Sequence, residues 1–145
     1  MATFSKSSLE KLKTCHMDLQ TIFNEIIKYF DCTISEGYRD EIAQNKAYAN
    51  GKSKLKFPHG NHNKSPSMAV DVYPYPIDLN PNTQRESEIY KYRMSYFAGI
   101  VMQCAKQLKI ENKISHDLRW GCDWDGDTEI KDHAFLDFPH FELIT

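Results

Sequence analysis

Six histidines in a chain of 145 residues invite a search for carboxylates that could work beside them. Asp71 stands out, because it interrupts the otherwise apolar run Met68-Ala69-Val70-Asp71-Val72-Tyr73. A carboxylate inside a sheet is costly unless a cation, hydrogen bonds or a metal compensate it. His62 lies upstream on the polar stretch that feeds this run, and His140 lies late in the chain, three residues after Asp137. Two histidines and a carboxylate, with a fourth position left to water, form a sound ligand set for catalytic zinc. Such an ion lowers the pKa of its water to about 7 and polarises a bound carbonyl. Asp137 could then act on that water as a general base. Each piece alone also has an ordinary explanation: a buried Asp capped by amides or an arginine, a structural His, a turn Asp ahead of Pro139.

The elements that must position these groups follow from periodicity. On an ideal strand, positions three apart face opposite ways, so Asp137 and His140 converge only through a bend. Pro139 suits one, since it restricts Phe138 and removes a backbone donor. Apolar residues from Leu9 to Phe30 recur at helical spacing, predicting one helix from Ser7 or Ser8 to Phe30. Asp31 to Gly37 reads as a short strand. Arg39 sits at its junction with a second helix, about Asp40 to Ala49, which Asn50-Gly51 ends. Lys52 to Pro66 is a long loop of the kind that tends to be functional. Ser67 to Tyr73 reads as a strand, and Pro74, Pro76 and Pro81 argue against its continuing as a central one. A long helix is expected from Gln84 or Arg85 to Leu108, then strands at Ile114 to Trp120 and Pro139 to Ile144 around an acidic loop, Gly121 to His133. The class expected is α+β, a small antiparallel sheet flanked by helices, in one domain covering residues 1–145.

Composition narrows the function. Lys and Arg total 18 against 20 Asp and Glu, a net charge of −2 with both signs mixed, so the footprint of a duplex nucleic-acid binder is missing. With 41% hydrophobic residues the chain can bury a core, yet no run approaches the roughly 20 apolar residues of a membrane span. The first residues lack the apolar stretch of a secretory signal, so synthesis without an export signal is the expectation. Cys15, Cys32, Cys104 and Cys122 form no Cys-x-x-Cys pair, and free thiols are expected, with Cys15 and Cys104 on apolar helix faces.

Five segments occur in a telling order: Gly37-Tyr38-Arg39, Asn50-Gly51-Lys52-Ser53-Lys54, His62 through Val72, Arg119-Trp120-Gly121-Cys122-Asp123-Trp124, and Asp137-Phe138-Pro139-His140-Phe141-Glu142-Leu143. From Glu36 to Leu143 the chain resembles the LAS zinc peptidases, which include D-alanyl-D-alanine carboxypeptidases and phage L-alanyl-D-glutamate peptidases acting as endolysins. The resemblance implies zinc held by His62, Asp71 and His140, with Asp137 as the catalytic acid/base. It implies that Arg39 holds the substrate carbonyl and its developing oxyanion, a task suited to a permanently charged guanidinium. The fold implied is the hedgehog/D-Ala-D-Ala-peptidase-like sheet.

The substrate implied is the peptide stem of bacterial peptidoglycan, cut at L-alanyl–D-glutamate, with no nucleic acid partner and no membrane insertion. A monomer is expected, made in the host cytoplasm and acting on the wall after release. Removal of terminal D-alanine is the alternative within the family. Outside it stand an HNH-type nuclease, suggested by His59-Gly60-Asn61-His62-Asn63, and a non-catalytic zinc-binding domain. Two departures from the family pattern matter: Gly60 stands where a serine is common, and Cys122 replaces a glycine, which would strain the backbone if φ there were positive. His59 is the rival first ligand, and Glu142 shares a strand face with His140. Asp123, Asp125, Asp127 and Glu129 could attract calcium, although the loop fails the EF-hand template and reads more simply as solvated.

Overall fold

The opening amphipathic pattern folds as two helices rather than one. In the computed structural model, which describes Met1–Thr145, α1 spans Lys6–Leu12 and α2 spans Met17–Ile26. The break is held by tertiary bonding: the His16 amide donates to the Ser67 carbonyl, and the Ser67 amide donates to that of Thr14. His16 then caps α2, its Nδ1 accepting from the Asp18 amide. Apolar spacing runs straight through the break, which is why periodicity alone reads it as continuous helix. Cys15 falls in this link, buried in a bridge to Ser67, and all four cysteines are free.

The remaining elements are β1 (Cys32–Glu36), α3 (Glu41–Ala49), β2 (Ala69–Pro74), α4 (Gln84–Ile110), β3 (Asp117–Trp120) and β4 (His140–Ile144). Four strands form one antiparallel sheet in the order β1-β2-β4-β3, so the α+β architecture is observed. Contrary to the sequence expectation, β2 is a central strand that includes Pro74. Its pairing with β4 covers only Ala69 to Asp71, so the missing proline N–H falls beyond that ladder. A Thr83–Glu86 capping box starts α4.

Period-two alternation splits the sheet into two faces. Ile34, Val70, Val72, Leu118, Phe141 and Leu143 face the core, where Phe141 meets Phe23 of α2 and Phe97 of α4 edge-on. The opposite face carries Asp71 directly across from His140, and Glu142 across from both Ala69 and Arg119. On β1 a bulge between Ile34 and Glu36 breaks the alternation and brings Glu36 opposite Asp71. The extra residue re-aims the chain, so that Gly37 and Arg39 enter the same face.

Candidate active site

His62, Asp71 and His140 converge on the open face of the sheet. His62 Nε2 and His140 Nδ1 lie 3.3 and 3.2 Å from Asp71 Oδ1, and 3.2 Å from each other. Each ring is fixed from behind. His62 sits on a single 3-10 turn, Asn61–Asn63, with its Nδ1 2.8 Å from the Gly37 carbonyl. His140 Nε2 lies 3.0 Å from Glu142 Oε1. A carbonyl and a carboxylate can only accept, so the outer nitrogens carry the protons, and each ring in its neutral form presents the lone pair of its inner nitrogen. Three electron-rich atoms thus face one another at near-contact distance, an arrangement that demands a cation or a shared proton. Burial disfavours charge on His140, but the carboxylates of Asp71 and Glu142 outweigh it and raise its pKa to about 10. Burial would likewise raise Asp71, yet the two histidines hold it well below the ordinary carboxylate range.

Asp137 reaches this group through the bend that the sequence requires. It precedes β4 in a turn closed by the His140 amide on the Asp137 carbonyl, and its Oδ2 lies 3.8 Å from His140 Nδ1. Burial, then the Asp71 charge, raise its pKa to about 6 against the opposing pull of His140, His62 and Arg39. Gly121 makes the turn possible: a Cβ there would collide with the Asp137 carbonyl and lie 2.9 Å from His140 Cβ. The neighbouring Cys122 is fully buried, and its φ is not positive, so the strain considered for it does not arise.

Arg39 approaches from the β1–α3 junction. Its Nη2 lies 3.5 Å from Asp71 Oδ2 and its Nε 3.6 Å from Glu36 Oε2. Trp124 walls the other side, its ring centroid 5.6 Å from that of His140 and stacked on Phe135, over which Lys54 Nζ sits. Glu142, far from facing water, is buried and bonded to His140, Arg119 and Asn61. His59 is exposed and outside the group. At Gly60 a Cβ would come within 2.8 Å of Asn63 Oδ1, which accepts from the Gly60 amide, so this loop is built around glycine rather than serine. The acidic-loop carboxylates mostly accept from the loop's own amides: Asp123 from Gly126 and Thr128, Asp127 from Glu129.

Sequence reasoning missed Gln44, which is buried, and Asn63, which is half-buried, two amides behind Arg39. The signal was faint: in α3 the apolar Ile42 is 82% exposed while the polar Gln44 is 1% exposed, the reverse of what amphipathic patterning leads one to expect.

The family model described as phage L-alanyl-D-glutamate peptidase matches residues 1–144. The chain belongs to that family. Its members' shared region therefore includes α1 and α2, which the motif resemblance starting at Glu36 had left out. The L-alanyl-D-glutamate peptidase fold also extends to a solved structure, the Serratia marcescens L-Ala D-Glu endopeptidase ChiX, with a TM-score of 0.66 and 22% identity. That alignment covers 98% of this chain and 90% of the other. No curated protein matches the chain in sequence. The protein is a peptidoglycan peptidase, and none of its helices is long and apolar enough to cross a membrane.

Proposed function

We propose that residues 1–145 form one zinc peptidase unit that hydrolyses the L-alanyl–D-glutamate bond of the peptidoglycan stem. The supporting observation is the inward convergence of His62 Nε2, Asp71 Oδ1 and His140 Nδ1, each held by a second partner. This donor set fits zinc, with Nε2 and Nδ1 lone pairs and one carboxylate oxygen leaving room for substrate. A zinc ion there would supply Lewis acidity to both the attacking water and the scissile carbonyl.

The chain's own groups do the rest. Asp137, ionised above its raised pKa, takes a proton from the water that attacks the alanyl carbonyl carbon. The Arg39 guanidinium donates hydrogen bonds to the carbonyl oxygen as negative charge develops on it. Asp137 then returns the proton to the glutamate nitrogen as the C–N bond breaks, giving a carboxylate on L-alanine and a free amine on D-glutamate. Every one of these residues comes from a single chain, which supports a monomer as the working unit. A phage endolysin made in the host cytoplasm and acting on the wall after release is the biological setting this reading implies.

Mass spectrometry of purified peptidoglycan after digestion tests the assignment. New alanine carboxyl and glutamate amine ends should form with zinc and vanish with a chelator. Release of terminal D-alanine would instead point to the carboxypeptidase alternative, and no new ends under zinc-replete conditions would overturn the peptidase mechanism. Asp137→Ala should retain zinc while turnover falls by about 10²- to 10⁴-fold, whereas a zinc-binding module without catalysis would lose nothing.

A further inference from the structure

We infer that Gln44 is a positioning residue for this hydrolysis, its buried amide fixing the Arg39 guanidinium and tying α3 to the loop that carries His62. The inference rests on the role assigned to Arg39 above. Gln44 Oε1 accepts from Arg39 Nη1 at 3.0 Å and from Asn63 Nδ2 at 3.1 Å. Gln44 Nε2 donates to Ser53 Oγ at 2.9 Å and to the Leu55 carbonyl at 2.6 Å. Arginine can only donate and a backbone carbonyl can only accept, so the orientation of the amide is forced. A glutamine side chain has two acceptor sites and two N–H groups, and all four are engaged. Gln44 therefore has nothing left to offer a substrate and acts through its neighbours.

Those neighbours are the catalytic elements. Asn63 Nδ2 also donates to the Arg39 carbonyl at 2.9 Å, and the Arg39 amide donates to the His62 carbonyl at 2.8 Å. Arg39 is thus held at its backbone by the His62 turn and at its Nη1 by Gln44. The other guanidinium contacts, to Asp71 and Glu36, are 3.5 and 3.6 Å long. Gln44 makes the one short, directional bond to a side chain that otherwise has four rotatable torsions. A guanidinium that must meet a developing oxyanion loses much of its value if displaced by about 1 Å.

Two variants of the zinc-loaded chain, assayed on a soluble stem peptide, separate positioning from packing. Gln44→Met keeps the length and loses all four bonds, while Gln44→Glu keeps the acceptors for Arg39 and Asn63 and loses both N–H donors. Gln44→Met should lower kcat by about 10- to 100-fold with KM within about threefold. Gln44→Glu should recover most of kcat even if its melting temperature is no higher than that of Gln44→Met. In zinc-free protein, the Arg39 Nε–H resonance should exchange faster with water in Gln44→Met and be restored in Gln44→Glu. In an Arg39→Ala background, Gln44→Met should cause no further loss of kcat. Gln44→Met and Gln44→Glu equal in kcat, or a full further loss in the Arg39→Ala background, would overturn the inference. Arg39→Ala with unchanged kcat would instead refute the role of Arg39 itself.

Discussion

The chain contains two clusters of the same composition, His62–Asp71–His140 and His16–Asp18–His116, and they are wired in opposite senses. At the first, ring protons point outward to the Gly37 carbonyl and Glu142, which leaves the inner nitrogens of the neutral rings as acceptors facing Asp71. At the second, Asp18 Oδ2 is satisfied by donors: the amides of Ser115 and His116, the Ser115 hydroxyl, and His116 Nδ1 at 2.8 Å. His16 Nδ1 is spent capping α2. That cluster is a clamp fastening the approach to β3 onto α2, and the His16 and His116 rings pack edge-on across it. What separates the proposed zinc site from a clamp is therefore the direction in which the groups behind the rings hold their protons, and not the inventory of side chains.

The largest expected effect breaks the comparison at its centre. Asp71→Ala should abolish zinc binding and reduce turnover by about 10³-fold or more, while Asp18→Ala should leave kcat within about twofold and one zinc per chain. Metal analysis alongside stem-peptide assays checks both, and loss of a zinc equivalent in Asp18→Ala would erase the distinction. Next comes Glu142→Gln, which removes the carboxylate behind His140 and should weaken zinc by about 10- to 100-fold. Competition with a fluorescent chelator reads this directly, and unchanged affinity would mean that Glu142 serves only packing.

The smallest effect concerns the clamp alone. Burial would raise the Asp18 pKa, but hydrogen bonds from His116 and Ser115 outweigh it and hold the carboxyl below its ordinary value. The stability this contributes is complete above the unfolded-state pKa of about 3.9 and disappears as pH falls through the lower folded value. Asp18→Asn should cost about 2 kcal/mol near neutrality and should flatten that acid limb. Denaturant unfolding between pH 2 and 6 would show it, and equal acid slopes in the two proteins would contradict the clamp.

The open face of the sheet was legible because its residues announce themselves. Asp71 is conspicuous among apolar neighbours, and Asp137-Phe138-Pro139-His140 carries its own bend. The strand and helix assignments around them held to within a few residues for β1, α3 and α4. The break between α1 and α2 was not legible, because it depends on bonds to Ser67, far away in sequence. Pro74 misled for a related reason: the length of a neighbouring strand decides whether a missing N–H matters. Gln44 was hidden because burial of a polar residue follows from what it bonds, and its four partners are spread from Arg39 to Asn63.

The position of β4 between β2 and β3 has a bearing on how the enzyme is made. Synthesis delivers β1, β2 and β3 first, yet β3 pairs only with β4, so the sheet has a gap until residues 140–144 emerge. The same segment brings His140, and Asp137 comes just before it. A growing polypeptide on the ribosome thus lacks both a closed sheet and the full set of residues proposed to hold zinc, and a chain stalled before His140 should show no hydrolysis. With the site proposed above, hydrolysis would wait for the turn before β4 and for β4 itself, as a consequence of topology.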